Sequence, residues 1–207
     1  MTMKLDKSFY ENTSVTDVAQ SLIGKVLCTL VDKQLTSGIV VETEAYSYME
    51  KACHAFNERR TRRTNTLFCD GGTTYVYLCY GIHKLFNIVT NREEVAEAVL
   101  VRAIEPLEGV EVMLERRGHD KLTTALTSGP GKLTEALGID LQHDRTLLTD
   151  NEIWLEDRGI DIGQIETSPR IGVAYAGSDA LLPWRYSVKL NKWVSKGNNR
   201  YENLLSK

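Results

Sequence analysis

The segment that most constrains the fold is a run of β-forming residues that a single glycine interrupts. Thr73 to Tyr80 reads TTYVYLCY, Gly81 breaks the run, and the pattern resumes from Lys84 to Thr90. Two such runs on either side of a short gap predict an antiparallel hairpin with a very short turn. The chain is therefore expected to contain an antiparallel sheet.

Further strands are predicted on both sides of this hairpin from their β-branched and apolar residues. Strands in consecutive runs, with helices at the margins, indicate an α+β fold with an antiparallel core. No repeat, low-complexity tract or linker marks a boundary, so residues 1–207 are predicted to form a single domain. The further strands are Lys25 to Leu30, Gly38 to Tyr46, Ala98 to Ile104, Glu152 to Glu156, Arg170 to Ala174 and Arg185 to Leu190.

Short helices are predicted from capping signals. Ser14-Val-Thr-Asp17 has the form of a capping box, and the helix that it starts is expected to stop at Gly24. A second helix is predicted to open at Pro106, because proline suits the first helical position, and to close at Gly118. A third is expected over Lys132 to Leu137.

Composition limits the class of protein. Hydrophobic residues make up 42% and charged residues 26% of the chain, as in ordinary globular domains. The first ten residues lack the apolar core of a secretory signal, and no segment could span a bilayer, so we expect a cytoplasmic protein without membrane contact. No cysteine pair has C-x-x-C spacing, and reduced thiols are expected at Cys28, Cys53, Cys69 and Cys79.

The charge balance alone does not identify the partner. The net charge of −3 favours a domain that binds a small molecule or a protein, because nucleic-acid-binding proteins are usually basic. However, the region from Arg185 to Lys207 has six basic residues and one acidic residue. One cationic face is therefore compatible with the acidic total, although a solvated charged surface would explain each basic cluster equally well. The second cluster consists of Arg59, Arg60, Arg62 and Arg63.

Glu42 and Glu44 are candidate catalytic acids. They lie two residues apart on a predicted strand, so both side chains should point to the same face. Two neighbouring carboxylates repel each other, which can prepare one of them to act as a general base. The alternative is an exposed polar strand edge. The nearby Tyr46 and His54 favour the functional interpretation, in which Glu44 faces a hydrated, aromatic-walled cavity.

Three tyrosines of the hairpin form a second candidate site. Tyr75 and Tyr77 should share one face of the strand, while Tyr80 falls at the turn. Aromatic rings beside basic residues suit stacking on nucleic-acid bases, and a protruding ring could wedge into a duplex. Packing in the core explains Tyr75 at least as well.

Asn87 and Arg102 are polar residues inside otherwise apolar strands. A buried arginine needs a partner, because an unpaired buried charge costs several kcal/mol, so Arg102 should meet an acid or line a cavity. A structural salt bridge is the alternative. For Asn87 a hydrogen-bonded core amide is the commoner outcome.

Metal and phosphate-loop motifs are weak in this chain. Cys53 and His54 are adjacent and the remaining cysteines have no familiar zinc spacing, so no metal is expected. The glycine-rich segments do not match the phosphate-loop pattern. Gly131 and Lys132, which open a predicted helix, could still present backbone amides to a phosphate.

Taken together, the motifs identify a family. VVETEAY, His54, TTYVYLCYGIHKLFNI, VLVRAIEPLEG, TSGPGKLTEALGI, and RIGVAYAG followed by PWRYSV occur in this order. In order and approximate spacing they resemble 3-methyladenine DNA glycosylases, the alkyladenine type, over nearly the whole chain. The resemblance implies a curved antiparallel sheet, a monomer, double-stranded DNA with damaged purines as partner, and neither metal nor organic cofactor.

The resemblance also implies catalytic roles. Glu44 matches the general base that deprotonates the attacking water, and Arg102 matches a residue that helps hold that water. A flipped purine would lie among Tyr46, His54 and Tyr77, with the backbone amide of His54 reading the base edge.

Selectivity and DNA contact are implied at other positions. Asn87 matches the side chain that crowds the amino group of normal guanine, and Tyr80 matches the ring that is inserted into the duplex. The arginine cluster and Lys132 are expected to contact DNA. The products would be 3-methyladenine and related purines such as 7-methylguanine and hypoxanthine, released without strand cleavage.

One segment departs from the family pattern. Where relatives usually have Gly-Pro soon after the tyrosine, this chain has Ser47-Tyr48-Met49-Glu50, and the stretch to His54 is about one residue shorter. The altered turn bears on the substrate range. A binding module that keeps the cavity without the activity is a further alternative, and base release from alkylated DNA would separate the two.

Overall fold

An antiparallel sheet of nine strands forms the framework of the computed structural model, which describes residues 3–197. The strands follow the order β1-β7-β2-β3-β6-β5-β4, and β9 joins β3 and β8. The strands are β1 Met3–Lys4, β2 Val26–Val31, β3 Gln34–Ser47, β4 Thr74–Cys79, β5 His83–Val89, β6 Glu97–Glu108, β7 Ile153–Asp157, β8 Ile165–Ser168 and β9 Arg185–Val188.

Short helices cover the sheet. The Ser14 side chain accepts a hydrogen bond from the Asp17 backbone and so caps the second helix, as the sequence predicts. Gly118 and Gly138 end the last two α-helices in the left-handed conformation. The α-helices are α1 Lys7–Tyr10, α2 Val15–Ser21, α3 Val110–Arg117 and α4 Pro130–Leu137. Single turns of 3₁₀-helix lie at Phe56–Glu58, Asn65–Phe68, Thr124–Leu126 and Leu141–His143, and a longer one at Ala174–Leu181.

Strand β3 is the centre of the molecule. It pairs with β6 along one edge and with β2 and then β9 along the other, so that its second half is almost entirely buried. The register with β6 shifts on both sides of Glu42. Such irregularities bend a strand and change the direction of its side chains, and they are common beside active sites.

The predicted α+β class is confirmed, with an antiparallel sheet and peripheral helices. The hairpin is also confirmed, since β4 and β5 pair over their whole length and only three residues connect them. The strands predicted near residues 25, 152 and 185 are present with small changes at their ends, and those near residues 38 and 98 are longer than predicted. No helix in the part of the chain from residue 3 to residue 197 could cross a membrane.

The prediction that Pro106 opens a helix is wrong. Strand β6 continues through Pro106 to Glu108, and α3 begins only after Gly109, whose φ is +69°. Pro106 lies opposite Gly38, where the register between β3 and β6 shifts. Proline cannot donate a ladder hydrogen bond, but a bulge tolerates that loss.

The strand predicted over Arg170 to Ala174 is wrong as well. The strand in this region is β8, which ends at Ser168, before Pro169. Residues 170–173 are irregular and Gly172 has a φ of +80°. The apolar pattern of this segment therefore reflects packing of a loop against the site, where backbone and side-chain groups bond to β3.

Candidate active site

A cavity of about 670 Å³ opens at one end of the sheet. Its wall comes from the ends of β3 and β6, the hairpin β4–β5, the segment 52–63 and the segment 171–175. This size suits a small aromatic ligand. The residues proposed from the sequence that line the cavity are Tyr46, His54, Arg59, Arg63, Tyr75, Tyr77, Tyr80, Asn87 and Arg102.

Glu44 lies directly behind this wall. Its side chain is 0% exposed, although we predicted a hydrated acid facing the cavity, and this expectation is corrected. The Ile171 backbone N–H donates to Oε1 over 2.7 Å. The Tyr46 hydroxyl donates to Oε2 over 2.7 Å, and Arg102 Nη1 donates to the same oxygen over 3.2 Å. Because a carboxylate can accept about four hydrogen bonds, these three donors leave one acceptor position on Oε1.

Glu42 shares the face of Glu44 but not its bonding pattern. Both acids contact Arg102, which agrees with the prediction that their side chains share one face of the strand. Glu42 also accepts from Arg185 Nε over 2.7 Å, and from the backbone N–H and hydroxyl of Ser195 over 2.7 and 2.9 Å. The alternative of an exposed strand edge is wrong for both acids, since Glu42 is also 0% exposed. Arg102 lies between the two carboxylates, and Glu42 anchors both Arg102 and Arg185.

Arg102 meets both of the expectations for it, because it pairs with acids and also lines the cavity. Burial favours its neutral form, but the neighbouring Glu44 and Glu42 carboxylates outweigh burial and raise the pKa of Arg102. The guanidinium therefore stays charged. It offers a cationic surface to the cavity next to Glu44.

Aromatic rings build the opposite wall. The rings of Tyr75 and Tyr77 stack with centroids 5.2 Å apart, and the His54 ring meets Tyr77 edge-on at 4.7 Å. The guanidinium of Arg63 lies 4.9 Å from the centre of the Tyr77 ring. Burial, assisted by the charge of Arg63, lowers the pKa of His54 to about 4, so its ring is neutral at pH 7. Tyr75 is 3% exposed and packs in the core, as the alternative interpretation expected.

Asn87 serves the core and the cavity at once. Its Nδ2 donates to the carbonyl of Tyr75 over 3.1 Å, and the residue is 4% exposed. These bonds make it the satisfied core amide that we expected. The side chain nevertheless forms part of the cavity wall beside Leu85 and Leu100.

Tyr80 projects from the hairpin at the mouth of the cavity. It is 89% exposed, and its φ of +50° lies in the left-handed region that non-glycine residues seldom adopt. Ile82, two residues on, is 72% exposed. The hairpin tip therefore presents two large apolar side chains to solvent, which is unusual for a surface turn.

The arginine cluster is exposed but does not act as one patch. Arg59 and Arg63 reach the cavity wall. Arg60 instead pairs with Glu94 over 2.7 Å and lies over the ring of Phe68. Arg62 is exposed away from the cavity wall, and so is Lys132 in the first turn of α4.

Several residues of the site were missed in the sequence. Ile171 supplies an amide to Glu44, and Arg170 forms a buried pair with Glu50. Tyr175, which lines the cavity, donates its hydroxyl to the Ala52 carbonyl over 3.0 Å. The available signal for Arg170 was a charged residue within an apolar segment, which is the same signal that marks Arg102. Among residues 3–197, no cluster of three metal-ligating side chains occurs.

Comparisons with known proteins identify the family. The family model described as methylpurine-DNA glycosylase matches residues 8–192. A Chlamydia felis protein, named "Putative 3-methyladenine DNA glycosylase", is 42% identical over 190 residues, which are 91% of this chain and 97% of the relative. Proteins of the same name from Bacillus subtilis and Clostridium perfringens are 40% and 39% identical over 91% and 94% of this chain, and 95% and 100% of their own lengths are covered.

The class of protein is therefore a DNA-repair enzyme, a DNA glycosylase. The chain belongs to the methylpurine-DNA glycosylase family. The family resemblance seen in the sequence motifs is confirmed.

Proposed function

We propose that this enzyme hydrolyses the N-glycosidic bond of 3-methyladenine in duplex DNA, with the damaged nucleotide turned out of the helix and into the cavity. The observation that carries the proposal is the position of Glu44. It holds one unused acceptor position on Oε1 and lies in contact with Arg102, whose guanidinium lines the cavity. The relatives from Chlamydia felis and Bacillus subtilis carry 3-methyladenine in their names.

Glu44 acts as the general base. A water molecule on the unused position of Oε1 donates a proton to the carboxylate and attacks C1′ of the deoxyribose. The bond from C1′ to the purine nitrogen breaks, and the purine leaves with the bonding electrons. The sugar passes through an oxocarbenium-like state, which the nearby carboxylate charge stabilises. Arg102 orients the water through its cavity-facing guanidinium.

The rings of Tyr46, Tyr77 and His54 bind the base. Alkylation at N3 or N7 gives the purine a positive charge, which makes it a better leaving group and a better partner for electron-rich rings. A neutral His54 adds no repulsion, and burial keeps it neutral at pH 7. Arg63 must move from the Tyr77 ring when a cationic purine enters, since two cations would otherwise share that ring.

Base flipping explains the exposed hairpin tip. The target bond lies inside a stacked duplex, and extruding a nucleotide costs roughly a few kcal/mol, less for a damaged base. Tyr80 fills the space that the nucleotide leaves. Arg59, Arg62, Arg63 and Lys132 neutralise phosphates around the extruded nucleotide.

The reaction stops at base release. Strand cleavage by a glycosylase of this kind requires an amine nucleophile that forms a Schiff base with the sugar. Within the described residues, the cavity wall contains no lysine. The resemblance of the sequence motifs supports action as a monomeric, single-domain enzyme.

The substrate range extends to 7-methylguanine and hypoxanthine. Asn87 crowds the position of the guanine amino group and so discriminates against normal guanine. Hypoxanthine lacks this group, whereas 7-methylguanine keeps it and compensates with the positive charge that makes it a better leaving group. The turn Ser47–Glu50 lies beside Tyr46, so its departure from the family pattern affects how other lesions fit. The range is measured by comparing duplexes that contain 7-methylguanine, hypoxanthine or ethenoadenine.

The test is the substitution Glu44→Gln, which keeps the side-chain size but removes the base. DNA treated with radiolabelled dimethyl sulfate serves as substrate, and released 3-methyladenine is measured by chromatography. We expect binding to alkylated DNA to be retained and base release to fall at least about 1000-fold. The control is Glu108→Gln, which removes a carboxylate that pairs with Arg158 far along β6. Retained turnover by Glu44→Gln would remove Glu44 from the mechanism.

A further inference from the structure

One buried ion pair at the site has no part in the mechanism above. Arg170 Nη1 and Nη2 donate to Oε1 and Oε2 of Glu50 over 2.7 and 2.8 Å. Arg170 is 2% exposed and Glu50 is 3% exposed. A buried ion pair often contributes no net stability, because removing both charges from water costs about as much as their attraction returns. A role in shaping the site explains the pair better.

Arg170 connects the parts of the chain that meet around Glu44. Its Nη1 also donates to the carbonyl of Ala45 over 2.8 Å, and Ala45 is the residue between Glu44 and Tyr46. Its guanidinium lies 4.8 Å from the centre of the Tyr46 ring. Arg170 therefore fixes both the Ala45 backbone and the Tyr46 ring beside Glu44.

Each oxygen of Glu44 receives a donor that depends on Arg170. Ile171, the next residue in the chain, donates its backbone N–H to Oε1 over 2.7 Å. Tyr46, whose ring packs against the guanidinium, donates its hydroxyl to Oε2 over 2.7 Å. The segment 170–173 has no regular secondary structure that could hold the Ile171 amide in place. The bonds of Arg170 provide that support.

We propose that Arg170 and Glu50 are positioning residues for base excision. Arg170 holds the Ile171 amide and the Tyr46 hydroxyl on the two oxygens of Glu44, and Glu50 holds Arg170. This inference rests on the proposed role of Glu44 as general base. It also assigns a purpose to the altered turn Ser47–Glu50, because this turn delivers the Glu50 carboxylate to Arg170.

The pair also balances the charge around Glu44. Acids and arginines alternate through the buried network, so removing one member leaves an excess of the opposite sign. The charged and titratable groups of the network around Glu44 are Glu42, Tyr46, Glu50, Arg102, Arg170 and Arg185.

The experiment compares Glu50→Gln, Arg170→Lys and Arg170→Gln with the wild type and with the control Glu108→Gln. Single-turnover release of 3-methyladenine from dimethyl sulfate-treated DNA gives the rate constant. Binding to the same DNA gives Kd, and thermal unfolding gives the folded fraction. We expect the rate constant per folded molecule to fall about 100-fold in Glu50→Gln and Arg170→Lys, with Kd within about threefold of wild type. Glu108→Gln keeps the wild-type rate.

The dependence of the rate on pH separates positioning from a purely structural role. Glu50→Gln leaves the positive charge of Arg170 unbalanced, and this charge favours the ionised, active form of the base. The acid limb of the pH–rate profile therefore moves to lower pH. Arg170→Gln leaves the charge of Glu50 unbalanced, and the acid limb moves to higher pH. Arg170→Lys keeps the charge, so its limb stays in place while its rate falls.

The proposal is overturned if the folded fraction alone accounts for the lost rate, or if the acid limb stays in place in both Gln variants. If Arg170→Gln does not fold, Glu50→Gln and Arg170→Lys still decide the question by rate, Kd and pH limb. Failure of the proposed function is a separate result. If Glu44→Gln keeps full activity, the role of Glu44 is wrong, whereas inactive Glu44→Gln with fully active Glu50→Gln and Arg170→Lys rejects only the positioning role.

Discussion

The floor and the rim of the cavity are built in opposite ways. The floor is the charge network on β3, β6 and β9, where Glu42 and Glu44 are fully buried and each has several donors. The rim is formed by the hairpin tip and the arginine cluster, which are largely exposed. Positive φ angles occur at Tyr80 in the hairpin tip and at Asn57 and Glu58, just before the arginine cluster.

This difference separates two tasks. In the proposed mechanism, water activation requires a carboxylate held within a fraction of an ångström of its reactive position. Buried strands with complete hydrogen bonding supply that rigidity. DNA recognition requires side chains that can lose their bound water and adjust to the shape of a duplex, and such side chains lie on exposed loops and turns. Changes in the floor should therefore cost stability and rate, while changes in the rim should cost affinity for DNA.

The largest effect is expected for Glu42→Gln. Removing this charge leaves Arg102 and Arg185 without full compensation in a buried site, and the free energy of unfolding should fall by about 3 kcal/mol or more. Urea denaturation measures the loss. The matched control is Glu166→Gln, where the carboxylate faces Lys189 at 3.7 Å on the surface, and it should cost less than about 0.5 kcal/mol. Equal losses in both variants would contradict the prediction that the buried charges of the floor stabilise the fold more than a surface charge does.

His54 lies in the cavity wall and should make stability depend on pH. Its pKa is lowered to about 4 in the folded protein, against about 6.5 when unfolded, so the unfolded chain binds more protons between these values. Stability due to His54 is thus fully present above pH 6.5 and is lost as the pH falls towards 4, by about 3 kcal/mol. Urea denaturation of wild type and His54→Gln at several pH values measures the difference. Parallel curves for the two proteins would show that His54 is not responsible.

Tyr80→Gly should affect stability and binding in opposite directions. Glycine adopts the φ of +50° without strain, so stability should rise by about 1 kcal/mol. The loss of the inserted ring should weaken binding to an alkylated duplex by about 10-fold or more. Thermal unfolding and fluorescence anisotropy measure the two effects. Unchanged affinity would mean that Tyr80 does not enter the duplex.

The smallest effect is expected in the arginine cluster. Within residues 3–197 Arg59 forms no ion pair, whereas Arg60 is paired with Glu94 over 2.7 Å. Arg59→Gln should therefore reduce the slope of log K against log salt concentration by about 0.9, as for the loss of one phosphate contact. Arg60→Gln should change it less. A titration of DNA binding from low to high salt measures the slope for both variants. A larger change in Arg60→Gln than in Arg59→Gln would contradict the role of Arg59 as a phosphate contact.

Much of the fold and of the site could be predicted locally. The hairpin β4–β5, the capped helix α2 and the glycine-terminated α4 follow from residues that are close in sequence. Turn and cap preferences act over a few residues, so the sequence is enough to predict them. The aromatic wall follows for the same reason, since alternation along β4 brings Tyr75 and Tyr77 to one face.

Other features could not be predicted in this way. Pro106 has a strong preference for the start of a helix, yet the bulge opposite Gly38 keeps it in a strand. Residues 170–173 have the apolar pattern of a strand, but they form a loop whose shape is decided by contacts with β3. In both places long-range pairing outweighs a local preference of about 1 kcal/mol or less.

The amino-acid sequence by itself determined the antiparallel strands, the helix ends, the aromatic face and the motifs that mark the family. Tertiary structure alone decided that Glu44 is buried, that Glu42 anchors two arginines, and that Glu50 meets Arg170 across 120 residues of chain. The reason is physical. Local preferences depend on neighbouring residues, whereas the burial and pairing of a charge depend on which distant segments the completed sheet brings against it.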